Sequence, residues 1–163
     1  MIDQLYDAMV AYEKDCPKRI QHFVKVHSFA RHIGLAEGMD PHALMVLEAA
    51  ALVHDIGIRP ALQKYGSSAG PLQEREGMGV ARELLTRIGF AAEDVERVVY
   101  LVGHHHTYHD IDGTDYQILV EADFLVNDYE HGLDKEHIAA NVRTIFKTAC
   151  GRKLAVTMFG LED

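Results

Sequence analysis

Hydrophobic residues recur at helical spacing along almost the whole chain. Between residues 18 and 37 the apolar positions follow one another at intervals of three and four, on one helical face: Ile20, Phe23, Val26, Ala30 and Ile33. Similar spacing predicts helices over residues 2–14, 74–88, 92–106, 115–130 and 135–149, and no segment alternates as a strand does. The pattern predicts an all-α, single-domain bundle of about six or seven helices over residues 1–163.

Residues 41–55 are apolar on nearly all sides, which predicts a central buried helix. Asp40 is suited to its N-cap, Pro41 to its first position and Gly57 to its C-terminal cap. Residues 58–72 are rich in Gly, Pro and Ser and predict a loop. A loop of that length in a small domain often carries function.

Composition limits the classes of partner. A chain of 163 residues with 48% hydrophobic residues is typical of one globular domain, and its net charge of -9 argues against long nucleic acid or an anionic membrane as partner. The N-terminus is polar, and we expect no apolar run of the roughly 18–20 residues that a membrane span needs, so we expect neither signal peptide nor membrane anchor. Cys16 and Cys150 are too few for a disulfide framework, which predicts a cytoplasmic protein.

A His-Asp pair ends the central apolar run. His54 and Asp55 follow Ala49-Ala50-Ala51-Leu52-Val53, and Asp123 lies in a second apolar run over residues 118–126. A buried carboxylate is costly unless a cation or hydrogen bonds compensate its charge. Imidazole and carboxylate are good ligands for divalent cations, so these residues predict a metal site. The alternative for Asp123 is a helix cap or a pair with an arginine.

The order of these residues resembles a known family. His22, with Val26 four positions later, the run from Ala49 to Gly57 with its His-Asp pair, and the distant Asp123 resemble the HD-domain superfamily of metal-dependent phosphohydrolases over roughly residues 17–130. The resemblance implies a helical fold in which residues 134–163 pack on the signature region. It also implies a divalent ion (Mn, Fe, Co, Ni, Zn or Mg), with a second one open, held by His22, His54, Asp55 and Asp123.

His27 competes with His22 as the first ligand. It lies five residues later and therefore faces about 140° away on a helix. The family spacing of His to Val favours His22. Asp55 would serve the catalytic chemistry as well as the metal.

The chain departs from the two-metal members of the family at one histidine. That histidine commonly stands four residues before a glycine that opens a helix, and here Gln73 precedes Gly77. Glu74 and Glu76 could replace it as ligands or act as general base, although acidic residues are also typical of a helix N-terminus. The resemblance assigns catalytic roles to His104 and His105 of the run 104–106, for which a polar helix cap is the alternative.

The expected activity is hydrolysis of a phosphate ester or anhydride in a small phosphorylated substrate, with a nucleotide favoured. Arg59 and Lys64 could bind its phosphate or lie on the surface, and three tyrosines could stack a base or complete the core: Tyr65, Tyr108 and Tyr116. A non-catalytic metal- or nucleotide-binding regulatory module is the alternative. An oxygen-activating di-iron enzyme ranks last, because it needs the histidine that Gln73 replaces. The apolar tail 154–161 could serve a homodimer as well as the core.

Overall fold

The computed structural model describes residues 1–162, which form α-helices and no β-strand. The helices are α1 (Ile2–Tyr12), α2 (Pro17–Ala36), α3 (Pro41–Val53), α4 (Ile58–Tyr65), α5 (Gly70–Ile88), α6 (Ala92–Val102), α7 (Thr114–Glu130), α8 (Lys135–Ile145) and α9 (Ala149–Phe159). The expected all-α single domain is confirmed. The expected number of helices was too low, because two of these helices lie in segments expected to be irregular.

Helix α3 is the centre of the bundle, and it contacts α1, α2, α6 and α7. All residues from Ala49 to Val53 are fully buried, and the small alanine side chains allow neighbouring helices to approach closely. Asp40 caps the helix as expected, since its carboxylate accepts the backbone N–H groups of His42 and Ala43. The central helix therefore presents its C-terminal end, with His54 and Asp55, to α2, α6 and α7.

The loop expected over residues 58–72 is wrong, because Ile58–Tyr65 is helical and α5 already begins at Gly70. Pro60 lies in the first turn of α4, where a missing backbone N–H does no harm. Gly57 does not cap α3 with a left-handed conformation, since its φ is -77°. A β-carbon there would collide with the backbone of α5 near Gln73 and Gly77. Gly77 lies inside α5 and does not open it, so this glycine pair marks a close backbone crossing.

Three further boundaries differ from expectation. Helix α6 ends at Val102, before the histidine run, and α8 ends at Ile145. The tail forms α9, whose start is held by Glu121 of α7. The Glu121 carboxylate is fully buried and accepts hydrogen bonds from the backbone N–H groups of Lys147 and Thr148 and from the Thr148 hydroxyl. Helix α8 must end early because its following residues bind this carboxylate.

One segment is apolar enough to span a membrane by length and composition alone, contrary to the sequence expectation. It covers Pro41–Tyr65 and has a mean hydropathy of 1.2 over 18 residues. Of that window, 61% is buried inside the protein. The apolar character of α3 is accounted for by its position in the core.

Candidate metal centre

Four ligand atoms from three parts of the chain converge at the end of α3. The Nε2 atom of His22 on α2 lies 3.2 Å from Nε2 of His54, 3.2 Å from Oδ1 of Asp123 on α7 and 3.3 Å from Oδ2 of Asp55. The Nε2 atom of His54 lies 3.5 Å from each of these carboxylate oxygens. The four expected ligands are thus brought together, whereas His27 lies elsewhere and contacts Glu48 at 3.0 Å.

Hydrogen bonds fix which nitrogen of each imidazole faces the cluster. Nδ1 of His54 lies 2.8 Å from the carbonyl oxygen of Ala51, and a carbonyl only accepts, so this nitrogen carries the proton. Nδ1 of His22 lies 2.9 Å from a carboxylate oxygen of Glu130, which favours the same tautomer. Nε2 of both rings therefore faces the cluster. Without an ion it carries the proton that Asp123 accepts, and a bound ion would displace that proton and take the lone pair.

Helix α7 supports the cluster with residues that sequence reasoning missed. Asn127 donates a hydrogen bond of 2.8 Å to Oδ1 of Asp123. Glu130 binds His22 and is itself paired with Lys25 at 2.7 Å. Residues 123, 127 and 130 share one helical face, so their spacing was the signal that could have found them. Carboxylate–imidazole–metal arrangements of this kind orient the ligand and increase its basicity.

The electrostatics of the cluster favour a cation. Burial would raise the pKa of Asp55, but His54 and His105 lower it to about 2. Burial would likewise raise the pKa of Asp123, but hydrogen bonds from His22 and His54 hold it well below its usual range. Burial would lower the pKa of His54, but Asp55 and Asp123 raise it to about 9. Both carboxylates are therefore ionised at neutral pH, and their negative potential stabilises positive charge between them.

A divalent ion fits these residues. The Nε2 atoms of the two histidines lie 3.2 Å from one another and 3.2–3.5 Å from one oxygen of each carboxylate. Such close polar atoms need positive charge between them, supplied either by histidine protons or by an ion that replaces those protons. Ligands about 2.1 Å from a tetrahedral ion are about 3.4 Å from one another, which matches these separations. The donor set of two imidazoles and two carboxylates suits first-row transition metals.

The family comparison agrees with this geometry. The family model described as HD domain matches residues 19–147, about four fifths of the chain. The chain belongs to the HD domain family. Neither the comparison with curated proteins nor the comparison with solved structures gave a match. HD domains bind divalent metals, and the matched range includes His54-Asp55, the pair on which the resemblance was based.

A second group of possible ligands adjoins the first in this HD domain. It consists of Asp55, His105 and His106. Oδ1 of Asp55, the oxygen not used in the first group, lies 3.4 Å from Nε2 of His105. Nδ1 of His105 lies 2.9 Å from the carbonyl oxygen of Val102, so its Nε2 carries a lone pair. Asp55 could therefore bridge two ions.

Three buried atoms around the second group have no hydrogen-bond partner among the described residues. They are Nε2 of His105, Nδ1 of His106 and Oε1 of Gln73. Burying unpartnered polar atoms costs free energy, which indicates that water or an ion completes this site. Gln73, at the position where two-metal relatives have histidine, is buried here, with its Nε2 3.5 Å from Nε2 of His106. Glu74 accepts the backbone N–H of His106 at 2.9 Å and so fixes this turn.

Four of the expected site residues have other contacts. His104 turns outward, with Nδ1 2.7 Å from the carbonyl oxygen of Tyr100 and its ring stacked on Tyr100, so His106 takes the place expected for it. Glu76 accepts hydrogen bonds from Tyr65 and Lys64. Arg59 donates to the carbonyl oxygen of Lys14 and lies over the ring of Tyr12, which ties α4 to α1. For Arg59, Lys64 and Glu76 the reason is the helix that replaced the expected loop, because α4 directs its side chains towards α1 and α5.

Tyr108 lies at the exposed rim of the centre. Burial raises the pKa of its hydroxyl to about 12, and the negative charges of Asp123, Glu74 and Asp55 add to this effect. Its ring packs edge-on against Phe124, with 5.0 Å between the ring centroids. Tyr116, by contrast, is fully buried, and its hydroxyl donates to backbone carbonyl oxygens of the histidine turn. Of the tyrosines considered from the sequence, Tyr108 is the one whose pKa is raised by the charges of both candidate metal-binding carboxylates, Asp55 and Asp123.

Proposed function

We propose that the protein is a metal-dependent phosphohydrolase that cleaves a phosphate ester or anhydride in a small phosphorylated substrate, with a nucleotide favoured. The observation that carries the proposal is the cluster of four ligand atoms at His22, His54, Asp55 and Asp123, in which each histidine Nε2 lies 3.2–3.5 Å from the other three atoms. Membership of the HD domain family supports it, since that family consists mostly of metal-dependent hydrolases. The acidic net charge supports a small substrate in preference to long nucleic acid.

The chemistry of the proposal depends on charge and position. A bound divalent ion would neutralise phosphoryl oxygens and lower the pKa of water. The side chains would hold the reacting groups in line, which supplies most of the catalysis in phosphoryl transfer. Tyr108 stays protonated at neutral pH because its pKa is about 12, so its hydroxyl would donate a hydrogen bond to a phosphate oxygen.

The proposal includes a second divalent ion bound by Asp55, His105 and His106. The unpartnered nitrogens of both histidines support it. Gln73 would then line this site through its own unpartnered oxygen, in place of the histidine of two-metal relatives. The proposal also includes a cytoplasmic location, which the two free cysteines support.

The first experiment measures metal content and phosphate release together. Wild type and Asp123→Ala are purified without added metal and analysed for transition metals. Both are then assayed with Mn²⁺ on p-nitrophenyl phosphate, bis(p-nitrophenyl) phosphate and a panel of nucleotides. Asp7→Ala is the matched control, because it removes an exposed carboxylate from α1. Circular dichroism checks that each variant is folded.

We expect about one or two equivalents of metal and hydrolysis of a phosphate substrate in wild type and in the control. Asp123→Ala should lose the metal and reduce turnover by about a thousandfold or more, because one ligand and its charge are removed. Full activity in Asp123→Ala would contradict the proposal. Tight metal and nucleotide binding without turnover on any substrate would favour the non-catalytic regulatory module.

A further inference from the structure

A groove between α8 and α9 lies apart from the metal centre. It encloses about 820 Å³, within the range of small-molecule binding sites. None of the candidate metal ligands lines it. Its cations are Arg143 on α8 and Arg152 and Lys153 on α9.

The two arginines of this groove differ from most arginines of the protein. The chain has nine arginines, and six of them lie within 4.0 Å of a carboxylate: Arg19, Arg31, Arg59, Arg75, Arg82 and Arg97. Of the three without a carboxylate partner in residues 1–162, two line this groove. Glu162 lies at the same groove, so the part of its lining formed by residues 1–162 keeps an excess of positive charge within a protein of net charge -9.

The groove combines this charge with an apolar surface. Val142 and Val156 line it beside the arginines, together with Ala139 and Leu161. Guanidinium groups bind phosphate oxygens in pairs of parallel hydrogen bonds, and apolar surface favours the organic part of a ligand. A phosphate ester matches this lining better than either inorganic phosphate or an uncharged molecule.

We propose that the α8–α9 groove binds a phosphate monoester of nucleotide size, as a second ligand site distinct from the metal centre. Arg143 and Arg152 bind the phosphate from opposite helices, and Lys153 adds charge. The valines contact the organic group. Binding at this groove does not require hydrolysis at the metal centre, so it can be tested independently of the proposed activity.

The test is a titration of the whole protein with adenosine 5′-monophosphate, followed through its backbone amide signals by NMR at constant ionic strength. Inorganic phosphate is the second probe. The variants are Arg143→Gln with Arg152→Gln, and Arg87→Gln as matched control. Arg87 is the third arginine without a partner in residues 1–162, and it lies on α5 at a different surface, beside α1. All three positions are outside the core, and thermal melting checks folding.

We expect saturable shifts at Val142, Arg152 and Val156 in wild type and in Arg87→Gln. In the double variant the Kd for adenosine 5′-monophosphate, measured from these shifts, should rise about tenfold or more, because two charge-assisted hydrogen bonds are lost. Inorganic phosphate should bind more weakly, since it lacks an organic group. Shifts confined to the metal centre, or an unchanged Kd in the double variant, would overturn the proposal. Equal affinity for both probes would overturn the role of the valines.

Discussion

Replacing Gly57 by alanine should destabilise the protein strongly. A β-carbon at Gly57 would lie 2.6 Å from the backbone nitrogen of Gly77 and 2.8 Å from the carbonyl carbon of Gln73, and closer still to the carbonyl oxygen of Gln73. Ordinary contacts begin near 3.4 Å, so the carbonyl oxygen of Gln73, which is the closest atom, would have to move away by about 1.5 Å. The φ of Gly57 is -77°, which alanine adopts freely, so the whole cost comes from this collision.

The size of the effect follows from what collides. Overpacking against side chains typically costs about 1–3 kcal/mol, since side chains can rotate away. Here the obstacle is helix backbone, so we expect a loss of about 3 kcal/mol or more in the free energy of unfolding. For a protein of this size that corresponds to a fall in Tm of roughly 6–12 °C. Gly57 follows Asp55 by two residues, so metal content should fall as well.

The assay is urea and thermal unfolding of wild type, Gly57→Ala and Gly79→Ala. Gly79 is the matched control, because it is exposed in the middle of α5 and an added β-carbon there meets nothing within 4 Å. Alanine at Gly79 should stabilise the protein by about 0.5–1 kcal/mol, since glycine is a poor helix former. If Gly57→Ala were within about 1 kcal/mol of wild type, the close crossing and the reasoning from it would be refuted.

Three further predictions concern other buried or site-facing groups. Glu121→Ala leaves the backbone N–H groups of Lys147 and Thr148 without their acceptor. We therefore expect the free energy of unfolding in urea to fall by about 3–5 kcal/mol and the amides of α9 to exchange faster. Unchanged amide exchange in α9 would contradict the anchoring role of Glu121. Burial raises the pKa of Asp128 to about 6, so wild type loses stability as the pH rises through that value. The Asp128→Asn variant has no carboxyl group to titrate at this position. Between about pH 4 and 7.5 its free energy of unfolding in urea should rise relative to wild type by at most about 3 kcal/mol. A difference that does not change with pH would refute the raised pKa of Asp128. If the proposed activity holds, Tyr108→Phe should raise KM for the phosphate substrate about tenfold at unchanged metal content, and an unchanged KM would exclude a substrate contact.

The helical fold and the first group of candidate ligands could be predicted from the amino-acid sequence alone. Helices depend on contacts between residues three and four apart, so their apolar spacing is visible along the chain. Asp55 and Asp123 were conspicuous because a carboxylate inside an apolar run needs compensation wherever the run is placed. Residues 58–65 were mispredicted because Pro60 and the following glycine and serines suggested a loop, while the start of a helix tolerates proline.

The surroundings of those candidate ligands depend on how the helices pack, which could not be predicted from the sequence. His104 and His106 are the same residue type and lie two positions apart in the sequence. Only the conformation of the turn after α6 directs His106 towards the site and His104 towards Tyr100. Glu130 supports His22 across 108 residues, a pairing that no local pattern encodes. The sequence suggested that Gly57 is a helix cap. Glycine is needed there for a different reason, because the backbone of α5 leaves no room for a β-carbon. These features depend on which helices pack together, because contacts between distant residues form only when the core assembles.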